Sequence, residues 1–360
     1  MISVLVSSRA ASLTPYTPGE QPRNREYIKL NTNENPYPPA PAAAKVIADY
    51  KADDLRLYPD PQFRHLREAI AGSYNLKPEE VFAGNGSDEI LSFAFYAFFD
   101  SSRGPVLFPE HTYSFYPVYC GFYELPFQIL PLRSDFSIDL SSYLGIENHT
   151  GMVFPNPNAP TGIGIDPKDI RSFLDRYRSD RICIIDEAYI DFGGRSCAGL
   201  IREYDNLLLI HTLSKSRSLA GLRVGYALGN PDLIQTLFTV KDSFNSYPIN
   251  RLSHDIAVTA MKDRDYSSKT QQKIIATRDS TVKTLTGLGW EVLPSMANFI
   301  FARLPGISGE QIYLSLKERG ILVRHFNHPG ISDFIRITIG TESDMEIFIH
   351  TLKDLRLSRR

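Results

Sequence analysis

The apolar positions of this chain follow two regimes. Between about residues 62 and 230, short uninterrupted apolar runs alternate with amphipathic stretches. The runs at 106–108, 152–154, 182–185, 207–210 and 224–228 are too short for helices and lack polar alternation, which predicts strands buried on both faces. Segments such as 166–177, which opens with Asp166-Pro167, predict the helices between them. Strand–helix alternation of this kind predicts an α/β fold with a mostly parallel sheet sandwiched by helices. In such sheets ligands bind outside the carboxyl ends of the strands.

After residue 246 the pattern changes. Helical stretches at 248–261 and 270–285 precede a strand pair at 321–326 and 334–339. A last amphipathic helix carries Met345, Phe348, Leu352 and Leu355 at helical spacing. The first 40 residues, rich in Pro, Asn and Thr, read as an extended arm. The expected organisation is an arm over 1–40, a large domain over 41–246 and a smaller α+β domain over 247–360.

Length and composition narrow the function classes. A chain of 360 residues buries roughly three quarters of its unfolded surface and needs no staples. With 42% apolar and 22% charged residues, disorder, collagen and coiled coil are excluded. A net charge of −2 argues against nucleic acid or an anionic membrane as partner. No uncharged apolar run reaches the roughly 18 residues of a membrane span. The apolar stretch at the N-terminus has no basic residue ahead of it, unlike a secretory signal. Cys120, Cys183 and Cys197 are an odd, scattered set that suits a reducing cytoplasm and forms no Cys-x-x-Cys pair.

Three motifs carry candidate chemistry. In Gly84-Asn85-Gly86-Ser87-Asp88-Glu89, a glycine turn feeds a helix that is apolar nearly all round. Its free amides and dipole favour a phosphate, although an ordinary capped turn with Ser87 or Asp88 as N-cap fits equally. Glu89 occupies the position of the third glycine of a dinucleotide fingerprint. The run Cys183-Ile184-Ile185-Asp186 ends a buried strand in a carboxylate that needs a cation or several donors. No acid or histidine cluster with metal-ligand spacing accompanies it, and His325 and His328 read as surface residues. Ser214-Lys215 follows another strand, with Arg223 eight residues later. A lysine with a pKa of about 10.4 is protonated at neutral pH, so a nucleophilic role needs desolvation or a nearby cation. Phosphate cradle, buried acid and poised lysine together are the parts a pyridoxal phosphate site requires.

With these residues the chain resembles the fold-type I pyridoxal-phosphate aminotransferases over nearly its whole length. The resemblance runs from Leu13-Thr14-Pro15-Tyr16 to Ile335-Arg336-Ile337-Thr338-Ile339-Gly340-Thr341. It implies pyridoxal 5′-phosphate as cofactor, with Lys215 as its Schiff-base lysine and proton carrier. Asp186 would pair with the pyridine nitrogen and Tyr189 would donate to the phenolic oxygen. Tyr113 would stack on the ring, while Ser87, Asp88, Ser214 and Arg223 would hold the phosphate. Tyr58 would reach that phosphate from a neighbouring subunit, making a homodimer with a shared active site. Tyr16, Arg324 and Arg336 would bind the anionic end of the substrate.

The arm, Tyr58-Pro59-Asp60 and the two arginines resemble the branch that acts on histidinol phosphate, which implies a role in histidine biosynthesis. The implied exchange is between L-histidinol phosphate with imidazole-acetol phosphate and glutamate with 2-oxoglutarate. An aromatic amino-acid aminotransferase and a threonine-phosphate decarboxylase are rivals on the same scaffold. A nicotinamide-dependent dehydrogenase and a catalytically silent binding protein are rivals of other classes. One position departs from the family: Ala159 stands directly before Pro160-Thr161-Gly162, where an asparagine usually contacts the phenolic oxygen. Either Asn158 moves in, or Tyr189 works with less help.

Overall fold

Burial of the strand runs on both faces dictates a layered molecule, and the computed structural model has that arrangement. It describes residues 5–22 and 25–355, so the two ends of the chain and residues 23 and 24 of the expected arm lie outside it. Among the described residues the strands, in chain order, are β1 (Ile28–Lys29), β2 (Val81–Gly84), β3 (Val106–Pro109), β4 (Phe127–Leu130) and β5 (Gly151–Pro155). They continue with β6 (Ile182–Asp186), β7 (Leu207–Thr212), β8 (Gly225–Gly229), β9 (Glu291–Val292) and β10 (Phe299–Arg303). The last three are β11 (Ile321–Leu322), β12 (Arg324–His325) and β13 (Ile335–Thr338).

Seven strands form the large sheet in the order β2-β8-β7-β6-β5-β3-β4. Neighbours are parallel except β8, which runs antiparallel to both β2 and β7. The interior strands β5, β6 and β7 are buried at every position, as their unbroken apolar runs require. β4 was not readable from periodicity: it lies at the sheet edge with Phe127 and Ile129 exposed. The helix Pro167–Leu174 starts where its sequence indicates, with Asp166 accepting from the Lys168 amide as N-cap. The helix Gly86–Phe98 departs from the all-round burial its sequence suggests, because Tyr96 faces solvent.

A second sheet, β12-β13-β10-β9, is antiparallel throughout. It packs with the helices Arg264–Gly287, Gly309–Glu318 and Glu342–Asp354 around a second apolar core that includes Ile300, Ile337 and Phe348. The single strand anticipated at 321–326 is two strands in different sheets: β11 pairs with β1, and β12 with β13. The helix Arg251–Lys262 buries Ile256, Ala257, Ala260 and Met261 in the first core, not the second. We propose on that ground that the large unit extends to about residue 262 rather than 246.

The later part of the arm is structural. β1 pairs parallel with β11, the Leu30 amide donates to the Leu322 carbonyl at 2.7 Å, and Leu30 is buried in the second core. Leu30→Ala should therefore cost about 2–5 kcal/mol in urea unfolding, the range for truncating a buried leucine. A change within a few tenths of a kcal/mol would mean that the segment does not belong to the core.

Candidate active site

The carboxyl ends of β6 and β7 and the start of β8 meet the N-terminus of helix Gly86–Phe98 at one cleft. Because β8 is antiparallel, its first residue Gly225 lies opposite both Gly84 of β2 and Thr212 of β7. Glycine is required there: a Cβ on Gly225 would stand 2.6 Å from the Ser87 amide nitrogen. Gly86 has φ +86°, and a Cβ on it would meet the Arg223 guanidinium at 2.7 Å. The residue before the helix, Asn85, makes no side-chain capping bond among the described residues. The first helical amides are thus open toward the cleft, where they and the helix dipole favour an anion. Arg223 stands beside them, with Nη2 3.1 Å from Asp88 Oδ2 and Nη1 donating to Ser214 Oγ at 3.4 Å.

Asp186 closes the floor at the end of β6 and is 6% exposed. Its Oδ1 accepts from the Ala188 amide at 3.1 Å and its Oδ2 from the Tyr116 hydroxyl at 3.4 Å. Burial pushes its carboxyl up to about 6, with a contribution from the negative charge of Asp88; the Ala188 bond, His211 and Tyr116 oppose the shift. Lys215 Nζ donates to the Thr32 carbonyl at 3.3 Å and lies 5.6 Å from the centre of the Tyr189 ring. Lys215, Asp186, Tyr189, Tyr113, Ser87, Asp88, Ser214 and Arg223 all line this cleft. Tyr113 donates to Asp88 Oδ1 at 2.7 Å.

The two C-terminal arginines face each other. Arg324 of β12 and Arg336 of β13 are register partners across the antiparallel pair. Like charges directly opposite repel, which favours an anion between them. Arg336 Nη2 donates to the Asn31 carbonyl at 3.0 Å, while its Nε is buried without a hydrogen-bond partner among the described residues. Arg324 donates to the carbonyls of Thr17 and Pro18 at 3.3 and 3.4 Å. This ties it to the arm that carries Tyr16, whose ring lies 4.7 Å from Phe115.

Tyr58 stands apart from its own chain's cleft: it is 80% exposed and stacks on Tyr247 at 4.7 Å. Asn158 does not move in for Ala159. It is fully buried, accepts from Thr112 and donates to the His111 carbonyl and to Thr161, so both its donor hydrogens are engaged between its own loop and the segment after β3. His325 is half-buried and bonded to the Ser332 carbonyl, and His328 is exposed. Among the described residues no group of three or more histidine, cysteine or acidic side chains is placed to hold a metal ion.

Comparison with known proteins gives this constellation a lineage. A family profile described as aminotransferase class I and II matches residues 25–352. The chain belongs to the class I and II aminotransferases. A histidinol-phosphate aminotransferase of Syntrophus aciditrophicus is 55% identical over 353 residues, covering 98% of each chain. One of Chromohalobacter salexigens is 49% identical, covering 96% of this chain and 97% of its own. Among solved structures, the histidinol-phosphate aminotransferase of Clostridium acetobutylicum superposes with a TM-score of 0.83 at 26% identity, over 91% of this chain and 98% of that one. That of Sinorhizobium meliloti, solved in complex with pyridoxal-5′-phosphate, gives 0.83 at 23% identity over 91% and 90%, which speaks to the fold.

The residues of this aminotransferase fit the family's cofactor. A helix N-terminus where the Asn85 side chain makes no capping bond and Glu89 takes only the Asn85 amide, with a guanidinium fork beside it, suits a phosphate, and a buried carboxylate suits a protonated ring nitrogen. Several partners escaped sequence reasoning. Asn33 donates to the Tyr189 hydroxyl at 2.9 Å, and Asn35 donates to the Lys215 carbonyl at 2.9 Å. Beneath the floor, Glu187 and His211 are both buried, 3.1 Å apart. The Asn31–Asn35 cluster was visible in the sequence as an Asn-rich stretch, but only as a turn signal.

The raised Asp186 carboxyl sets a sign for stability. Below about pH 4 it is protonated folded and unfolded. As pH rises toward 6, the unfolded chain ionises first and the folded state loses ground. Asp186→Asn should therefore stabilise the cofactor-free protein at pH 8 by up to about 3 kcal/mol relative to wild type, with about half of that gap left at pH 5 and almost none below about pH 3.5. Urea unfolding across this pH range checks this; a gap independent of pH would sink it.

Proposed function

We propose that the protein is a pyridoxal-phosphate-dependent transaminase that exchanges the amino group between L-histidinol phosphate with imidazole-acetol phosphate and glutamate with 2-oxoglutarate. The observation that carries the reading is the convergence of Lys215, Asp186 and the open helix N-terminus at Ser87 in one cleft. The substrate follows from the opposed Arg324–Arg336 pair and from relatives of about 50% identity that carry this activity in their names. Guanidinium forks accept both a phosphate and a planar carboxylate, as the two half-reactions require in turn.

Pyridoxal phosphate, when bound, supplies an aldehyde and an electron-accepting ring. Ser87, Asp88, Ser214 and Arg223 would hold its phosphate, and Tyr113 would pack on its ring. Asp186 would keep the ring nitrogen protonated, and Tyr189 would donate to the phenolic oxygen. Lys215 would hold the aldehyde carbon, and its amine would move a proton at the substrate's α-carbon. Arg324, Arg336 and Tyr16 bind the substrate anion. The exposure of Tyr58 supports its use by a second copy, so that the working unit is a homodimer with shared sites. No helix among the described residues is long and apolar enough to cross a membrane, and the scattered buried thiols suit the cytoplasm.

Purified protein loaded with pyridoxal phosphate should be yellow, and borohydride should fix the cofactor on Lys215. Lys215→Ala should abolish transamination; turnover at the wild-type rate would rule out its assigned role. The kcat/KM for histidinol phosphate should exceed that for phenylalanine, and the reverse order would sink the substrate assignment. Arg324→Ala and Arg336→Ala should each lower kcat/KM by the equivalent of about 2–5 kcal/mol, the loss for a desolvated ion pair.

A further inference from the structure

Tyr189 is the neutral donor expected at the cofactor's phenolic oxygen, and Ala159 has no polar group with which to help it. What holds the Tyr189 hydroxyl comes from the other end of the chain. Asn33 Nδ2 donates to it at 2.9 Å, across 156 positions of sequence. The Asn33 amide is itself locked. Its Oδ1 accepts from Thr338 Oγ1 at 2.9 Å, and the same hydroxyl accepts from the Asn33 backbone amide at 2.9 Å. Its carbonyl accepts from Asn298 Nδ2 at 3.0 Å, and Asn33 is 1% exposed with φ +55°. With its oxygen on Thr338, the amide can only present nitrogen to the phenol, and an amide nitrogen accepts no hydrogen bond. The phenol proton must therefore point elsewhere.

The surroundings of Tyr189 leave the cleft as that direction. Its ring stands edge-on to Phe299 at 5.0 Å, and Lys215 Nζ, a donor, lies over its face at 5.6 Å. Arg336, another donor, is close enough to interact electrostatically with it. Asp186 lines the same cleft and already accepts from Tyr116 and the Ala188 amide. Thr338 lies two residues beyond Arg336 on β13, and Arg336 bonds the carbonyl of Asn31 in the same short segment. The arm thus joins the substrate-anion grip to the cleft tyrosine through rigid hydrogen bonds.

We propose that Asn33 is a positioning residue for Tyr189, occupying the acceptor side of its hydroxyl and so committing the phenol proton to the phenolic oxygen of the cofactor. The inference rests on the reading given under Proposed function. The decisive variant is Asn33→Gly, which keeps the left-handed backbone while removing the amide. With pyridoxal phosphate bound, the visible absorption is titrated against pH. A donor on the phenolic oxygen withdraws electron density and disfavours the protonated chromophore, so loss of orientation raises the midpoint. One hydrogen bond of ordinary strength corresponds to a rise of about 0.4–1 pH unit.

In a Tyr189→Phe background the same substitution should produce no further rise, because there is no hydroxyl left to orient. Thr338→Val, which frees the amide but leaves Asn33 in place, should shift the midpoint in the same direction by less, and it decides the matter if Asn33→Gly does not fold. An unshifted midpoint in the folded variant, or an equal shift with Tyr189 and with Phe at that position, overturns the role of Asn33. A wild-type protein that stays colourless with pyridoxal phosphate overturns instead the reading on which it rests.

Discussion

The site is organised around one buried and one half-buried charge that are not paired with each other. Asp186 sits at the end of an interior strand, and among the described residues its hydrogen-bond partners are the Ala188 amide and the Tyr116 phenol. Arg336 sits among Phe299 and Phe326 with a buried Nε that no described residue satisfies. In a low-dielectric interior each such group is expensive unless something of opposite sign arrives. The fold keeps the two apart, one in each sheet, and so keeps each available to a ligand. A molecule offering a cationic ring nitrogen at one end and an anion at the other relieves both costs. Stability and affinity are here two expressions of the same electrostatic debt.

The Asn31–Asn35 stretch connects these separated groups. Within five residues, backbone carbonyls accept from Arg336 and Lys215, and side-chain amides donate to Tyr189 and to the Lys215 carbonyl. β1, immediately before it, is fixed by pairing with β11, and Thr338 anchors it on β13. A stretch of this kind serves as scaffold for both sheets at once: Asn31 and Asn33 are buried, and the side-chain nitrogens of Asn31, Asn33 and Asn35 each donate to a specific carbonyl or hydroxyl.

What the sequence made legible follows from what local pattern encodes. Asp186 and Lys215 stand out because each follows an uninterrupted apolar run, and in a parallel sheet such a position is the ligand end. Strand direction is not encoded in that way, so the antiparallel placement of β8 was invisible. Periodicity also cannot say which neighbour a strand joins, and the run at 321–326 divides between two sheets for that reason. The edge strand β4 is exposed at three of its four positions and buries only Leu130, too little for a periodic signal. Asn33 depends on contacts 156 and 305 positions away, beyond any local rule. Ala159, by contrast, was readable as a missing donor, and the compensating amide was the unread half of that observation.

The reversal of β8 has a further meaning for how such a site persists. Gly225 faces Gly84 and Thr212 only in one alignment of three adjacent strands. Sliding β8 by a single residue would bring the Tyr226 ring or the Val224 methyls to the place where Ser87 now approaches, and would turn Arg223 to the opposite side. The seat for an anion is therefore not an ornament on the sheet but a property of its alignment. A chain that has paired these strands correctly has, in the same act, built its recognition element.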